Sequence, residues 1–302
     1  MEISLSRVHD VLYEGGYVSN EGIDNAVWVS LLCERPLIVE GAPGVGKTAI
    51  AKALSRGLGL ELVRLQMYEG LTDDRVLYDY DYARQLLTLE AVKPQVEREF
   101  GQMSAADAVR GVAASLDFYG DEFLIRRPVL RSITSGGRVV LLIDEMDKAP
   151  EEIEYMLYEF LEDYSITIPQ SGEVRCDESR RPVVVITSNG YRELSGALRR
   201  RCNYLYVERK TREEMAEILL RRATDDEHVA RGVARCMEAL ASAGCRRAPS
   251  VSEAIDYASF LGSGHATREE ALAALSLLAK DRRDAEAIRC VVTQNGEEIW
   301  SR

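Results

Sequence analysis

The sequence predicts an α/β fold in two units: a central, mostly parallel sheet between helices, then a small all-helical unit. Three observations carry this. An apolar run, Pro36-Leu37-Ile38-Val39, leads into Gly41-Ala42-Pro43-Gly44-Val45-Gly46-Lys47-Thr48 and then into a helical stretch from Thr48 to Ser55. Two further aliphatic runs, Val139 to Ile143 and Pro182 to Ile186, have the unbroken apolar texture of strands covered on both faces. After Thr211 no strand-like run recurs, so we place the boundary near 208–211, giving units 1–208 and 209–302.

In chain order, Leu5, Val8, Val11 and Leu12 recur at helical spacing, and Gly15-Gly16-Tyr17-Val18-Ser19-Asn20 breaks the pattern. Ile23, Val27, Leu31 and Leu32 then mark one face of a second helix, from about Glu21 to Glu34. The helix after the glycine-rich stretch ends near Gly57 and Gly59, suitable C-terminal caps. Leu60 to Leu65 alternates as a strand. The aromatic and acidic segment Tyr68 to Tyr82 follows, with Arg84 to Leu89 as a candidate strand, so we expect a short helix opening into a hairpin over about 68–90. Pro94 to Phe100 and Ala105 to Leu116 read as helices. Pro150 suits the first position of a helix carrying Ile153, Met156, Leu157, Phe160 and Leu161 as one stripe. A second hairpin is expected over about 165–180, turning at Gln170-Ser171-Gly172, and Tyr204 to Val207 is another strand. Thr211 and Glu214 form a capping box, and further helices are expected near 228–243, 250–261, 267–280 and 284–292.

Composition narrows the function. The 302 residues, 46% hydrophobic and 29% charged, suffice for a real core. No apolar run approaches the roughly 20 residues a bilayer requires. Met1-Glu2-Ile3-Ser4 lacks a basic region followed by an apolar one, so no signal peptide is expected and the compartment is expected to be cytoplasmic. A net charge of −12 argues against a generic nucleic-acid binder. The six cysteines hold no C-x-x-C pair and the three histidines are scattered, so metal-ligand spacing is absent and reduced thiols are expected.

The chemistry-bearing residues begin with the glycine-rich stretch. Gly41, Ala42, Pro43, Gly44, Val45, Gly46, Lys47 and Thr48, with Ala49 in the following helix, form a strand–turn–helix context suited to a phosphate chain. Backbone N–H groups and the helix N-terminus direct partial positive charge at the anion. Lys47 reaches toward the β- and γ-phosphates of ATP, and the Thr48 hydroxyl is a ligand for Mg²⁺. Tyr17 and Val18 either touch the nucleotide base or pack as a turn on the core. The strand ending at Asp144-Glu145 delivers two carboxylates where ligands sit in an open α/β sheet. Asp144 is expected to hold Mg²⁺, directly or through water, and Glu145 to polarise the attacking water. Asn189, ending the next strand, is placed to position that water. Arg199, Arg200 and Arg201 precede the last strand, and one of them suits transition-state charge.

In this order and spacing the chain resembles the AAA+ ATPases. It is most similar to their MoxR branch, and within it to the CoxD-like members that pair with von Willebrand factor A domain proteins. The residues behind this are Gly41 to Thr48, Tyr68-Glu69-Gly70-Leu71, Glu122-Phe123-Leu124, Arg127 to Leu130, Leu142 to Ala149, Thr187-Ser188-Asn189, and Arg192 to Tyr206. The resemblance implies an AAA+ P-loop domain followed by a helical lid, with Gly41–Thr48 as Walker A and Asp144-Glu145 as Walker B. It makes Asn189 the sensor-one residue. It makes Arg201, with Arg200 the alternative, the arginine that reaches a neighbouring subunit's nucleotide. It further implies a homo-oligomeric ring, a hexamer in most members, with ATP between subunits and the 68–90 and 165–180 segments on the pore or upper face. One position departs from the pattern: where lids place a second sensor arginine, this chain has Ser250, with Arg247 nearby.

Three functional readings follow. The first is an ATP-driven ring that remodels or activates a client protein, in the manner of a chaperone maturing a metalloenzyme or complex. The second is a nucleic-acid motor, which the Asp-, Glu- and Tyr-rich segment 68–82 disfavours. The third is a nucleotide-gated scaffold without turnover, which Glu145 and Asn189 disfavour.

Overall fold

A computed structural model describes residues 3–100, 104, 117–263 and 267–296. The helix expected over 105–116 lies outside them. Helices α1 (Leu5–Glu14) and α2 (Glu21–Cys33) precede β1 (Leu37–Gly41). The chain continues through α3 (Lys47–Leu58), β2 (Glu61–Gln66), α4 (Asp73–Val76), β3 (Tyr78–Tyr80), α5 (Tyr82–Phe100), β4 (Leu124–Arg126) and α6 (Pro128–Thr134). Next come β5 (Val139–Asp144), α7 (Glu151–Asp163), β6 (Ser165–Ile168), β7 (Gly172–Arg175), β8 (Val183–Ser188), α8 (Gly196–Arg201) and β9 (Asn203–Val207). Among the described residues five helices follow: α9 (Arg212–Arg222), α10 (Glu227–Ser242), α11 (Val251–Gly262), α12 (Arg268–Ala273) and α13 (Ala285–Asn295).

The main sheet has five parallel strands in the order β2-β5-β8-β1-β9. Every residue of β5 and β8 is buried, as expected of parallel strands covered on both faces. Their side chains alternate between two cores. Leu141, Ile143, Val184 and Ile186 join one core, with α6 and α7. Val140, Leu142, Val183 and Val185 join the other, with α1, α2 and α3. A third core, built on Leu219, Val233, Tyr257, Ile288 and their neighbours, belongs to the C-terminal helices alone.

The short β6–β7 hairpin pairs Ile168 with Gly172, whose φ of +86° suits its turn. The segment near 68–90 is organised differently from the expectation. Its strand, Tyr78–Tyr80, pairs antiparallel with Leu124–Arg126 rather than within the segment. Arg84 to Leu89, expected as a strand, lies inside α5. A short apolar run is ambiguous by period alone. Here Ala83, Arg84, Gln85, Leu86 and Leu87 are strong helix formers, and the helix runs on through Pro94.

Candidate functional site

The C-terminal ends of β1, β5 and β8 meet at one cavity of roughly 480 Å³. The glycine loop forms one wall. Gly44 and Gly46 stand at φ +81° and +97°, where a Cβ is strained, so the loop can turn its amides inward. Gly46 is also the N-cap of α3, and no side chain caps that helix. Apart from that of Ala49, which donates to the Gly46 carbonyl (3.1 Å), its first-turn N–H groups suit an anion.

Lys47 is buried, and its ammonium donates to the carbonyls of Gly41 (2.8 Å) and Ala42 (2.9 Å) and to Asn189 Oδ1 (2.8 Å). Burial pulls its pKa down from the ordinary lysine value, against the opposing charges of Asp147, Asp144 and Glu145. Thr48 Oγ1 donates to Asp144 Oδ1 at 3.0 Å, so hydroxyl and carboxylate converge as a Mg²⁺ site requires. Asp144 is only 3% exposed, and a buried carboxylate is stabilised by a cationic partner.

Glu145 stands at φ +60°, an unusual conformation for a residue with a Cβ. Its N–H donates to Thr187 Oγ1 (2.9 Å), and Thr187 in turn donates to Asp144 Oδ1 (2.6 Å). The Glu145 carboxylate accepts from Gln66 Nε2 (2.8 Å), Lys148 Nζ (2.9 Å) and, at longer range, Asn189 Nδ2 (3.5 Å). Asn189 is held from behind, where buried Asp147 accepts the N–H groups of Asn189 (3.1 Å) and Tyr191 (3.0 Å).

Tyr17 and Val18 are both buried; Tyr17 packs in the core, its ring against Gly46, and Gly15 and Gly16 line the cavity instead. The Tyr17 hydroxyl is buried without a hydrogen-bond partner among the described residues. Arg201 stands apart from this chain's cavity: it pairs with Glu162 (2.6 Å) and lies 4.7 Å over the Tyr158 ring. Arg200 is exposed. Ser250 caps α11 and faces the glycine loop so closely that a Cβ on Gly44 would lie 2.4 Å from its own. The next residue, Val251, donates its N–H to the Gly44 carbonyl (3.2 Å).

Four contributors escaped sequence reasoning: Arg64, Gln66, Thr187 and Asp147. Arg64 and Gln66 share one face of β2 at its C-terminal end, and polar residues at i and i+2 there were the available signal. Asp147 and Thr187 lie within the stretches that carry the family resemblance, but spacing alone gave neither a role.

Fold and cavity together define a P-loop nucleotide-binding domain of the α/β class. The family model described as AAA domain (dynein-related subfamily) matches residues 36–202, more than half of the chain. The chain belongs to that family, whose domains bind and hydrolyse nucleoside triphosphates, typically with Mg²⁺. Comparison with curated proteins gives no match.

Proposed function

We propose that this chain is an ATPase of the MoxR branch that assembles as a ring, pairs with a von Willebrand factor A domain protein and remodels or activates a client protein. In this reading 1–208 is the nucleotide-binding unit and 209–302 its lid. The observation that carries it is the convergence of Lys47, Thr48, Asp144, Glu145 and Asn189 on one cavity. The glycine-loop amides bind the phosphates. Lys47 exchanges the Gly41 and Ala42 carbonyls for phosphate oxygens. Thr48 and Asp144 hold Mg²⁺, which supplies Lewis-acid charge to the phosphates when bound. Glu145 takes up the proton of the attacking water, and Asn189, fixed by Asp147, orients that water.

An arginine from a neighbouring copy completes the site. Arg201 must release Glu162 to serve, whereas the exposed Arg200 carries no such tie to that carboxylate. A protein client fits the chain's acidity and the exposed apolar side chains of α5, Tyr82, Leu86 and Leu87.

The test compares wild type with Glu145→Gln. Phosphate release is expected to fall by at least about 100-fold with nucleotide binding kept. Native mass spectrometry with ATP is expected to show a ring for both. Unchanged turnover in Glu145→Gln sinks the Walker B role, and absence of a ring in both proteins sinks the trans arginine. A pull-down with the trapped variant then looks for the client.

A further inference from the structure

We infer that Arg64 is an internal cation that competes with a divalent metal for Asp144 and thereby ties the two carboxylates of the site together. Asp144 Oδ1 is taken by the hydroxyls of Thr48 and Thr187. Oδ2 is the remaining oxygen, and Arg64 Nη2 donates to it at 2.6 Å. The same nitrogen donates to Gln66 Oε1 at 2.6 Å, and Gln66 Nε2 donates to Glu145 Oε2 at 2.8 Å. One guanidinium thus sits within a chain that runs Asp144, Arg64, Gln66, Glu145. Strand register makes this possible, because Gln66 stands opposite Asp144 where β2 pairs with β5.

Two cations cannot share one buried carboxylate without repulsion. A metal ion arriving between Thr48 and Asp144 therefore drives Arg64 off Oδ2. Its departure also removes the donor that orients the Gln66 amide, and so loosens the grip of Gln66 on Glu145. Arg64 is in this sense a positioning residue: while it keeps Oδ2 it holds Glu145 indirectly, and its displacement by a metal lets go. The Arg64 side chain is 48% exposed, so solvent screens the pair and the competition is modest. This inference rests on the nucleotide-binding reading above.

The test measures Mn²⁺ affinity of the ADP-loaded full chain by electron paramagnetic resonance of free Mn²⁺, for wild type, Arg64→Gln and Arg64→Lys. Arg64→Gln is expected to bind Mn²⁺ about three- to fivefold tighter, the size of a half-exposed ion pair. Arg64→Lys, which keeps the charge but not the planar fork, is expected to fall between. A merely structural arginine would loosen the site and weaken Mn²⁺ when removed, so tightening separates the two roles. Unchanged or weaker Mn²⁺ binding in Arg64→Gln overturns the inference. Should Arg64→Gln lose its native circular dichroism, the direction of change in Arg64→Lys decides. A wild-type chain that takes up neither ADP nor Mn²⁺ overturns the nucleotide reading itself, a result distinct from ADP binding with unaltered metal affinity.

Discussion

Among the described residues, three with side chains adopt left-handed backbone angles: Glu34, Glu145 and Tyr164. Glu34 and Tyr164 end helices α2 and α7, where that conformation is an ordinary cap. Glu145 has no such excuse, and the cost, on the order of 1–3 kcal/mol, is one that functional residues bear. The Thr187 hydroxyl and the Gln66 amide hold it in place. Tyr164 also makes a pH prediction. Its hydroxyl donates to the Glu34 carbonyl (2.8 Å), and burial pushes it up to about 12, against the opposing pull of Arg181. The unfolded hydroxyl titrates near 10, so between about pH 10 and 12 the folded chain binds more protons than the unfolded one. The contribution is present below pH 10 and is lost as pH rises through that window, by on the order of 2 kcal/mol. Denaturant titrations across it should show a steeper loss for wild type than for Tyr164→Phe; equal slopes would rule the assignment out. The residues legible in sequence were those set by local spacing: Gly41 to Thr48, Asp144, Glu145 and Asn189. Arg64 and Gln66 were hidden because their partners come from strand register, which no local pattern encodes.

At the scale of elements, α7 does more than cover the sheet. Its Glu154 is wholly buried, lies 2.6 Å from Arg192 Nη1 and accepts the Ser195 N–H at 3.0 Å. Arg192 also donates to the carbonyl of Ala149 (3.1 Å), within the turn that follows Glu145. Ser195 is the N-cap of α8, the helix of Arg199, Arg200 and Arg201. Glu154→Ala leaves the Arg192 charge without its carboxylate and the Ser195 amide without its acceptor, and unfolding free energy is expected to drop by roughly 3 kcal/mol in urea. A drop below about 1 kcal/mol would mean that solvent replaces the pair. Elements with end signals were easy to read. Thr211–Glu214 and Ser250–Glu253 are capping boxes, and both helices start there. The segment after Tyr82 failed because Leu86, Leu87 and Leu89 face solvent, so no buried stripe revealed the helical period.

For the whole molecule, strand order is what brings the site together: β1 and β5 both flank β8, so loop, carboxylates and Asn189 share one end. Aliphatic runs announced the strands but not that order. The C-terminal helices are tied to the α1–α2 segment at three points. Lys210, nearly inaccessible, donates to the Val18 carbonyl (2.9 Å); Asn20 Nδ2 donates to Glu214 (3.1 Å); Arg221 donates to the Tyr13 carbonyl (2.9 Å). Lys210→Ala frees the hinge end of this clasp. Stopped-flow release of a fluorescent ADP is expected to quicken by about tenfold, the loss of one charge-assisted bond. No change would place the hinge elsewhere.

The bond from Val251 to the Gly44 carbonyl joins α11 to the phosphate loop's own backbone network. Swinging α11 outward pulls on the strand–loop–helix turn that grips the anion, and gripping the anion pulls α11 in. Under the proposed function, the dwell time of spent nucleotide would then depend on a contact that touches no ligand atom. A partner pressing on the lid from outside would act as a clock for the cycle without ever reaching its chemistry.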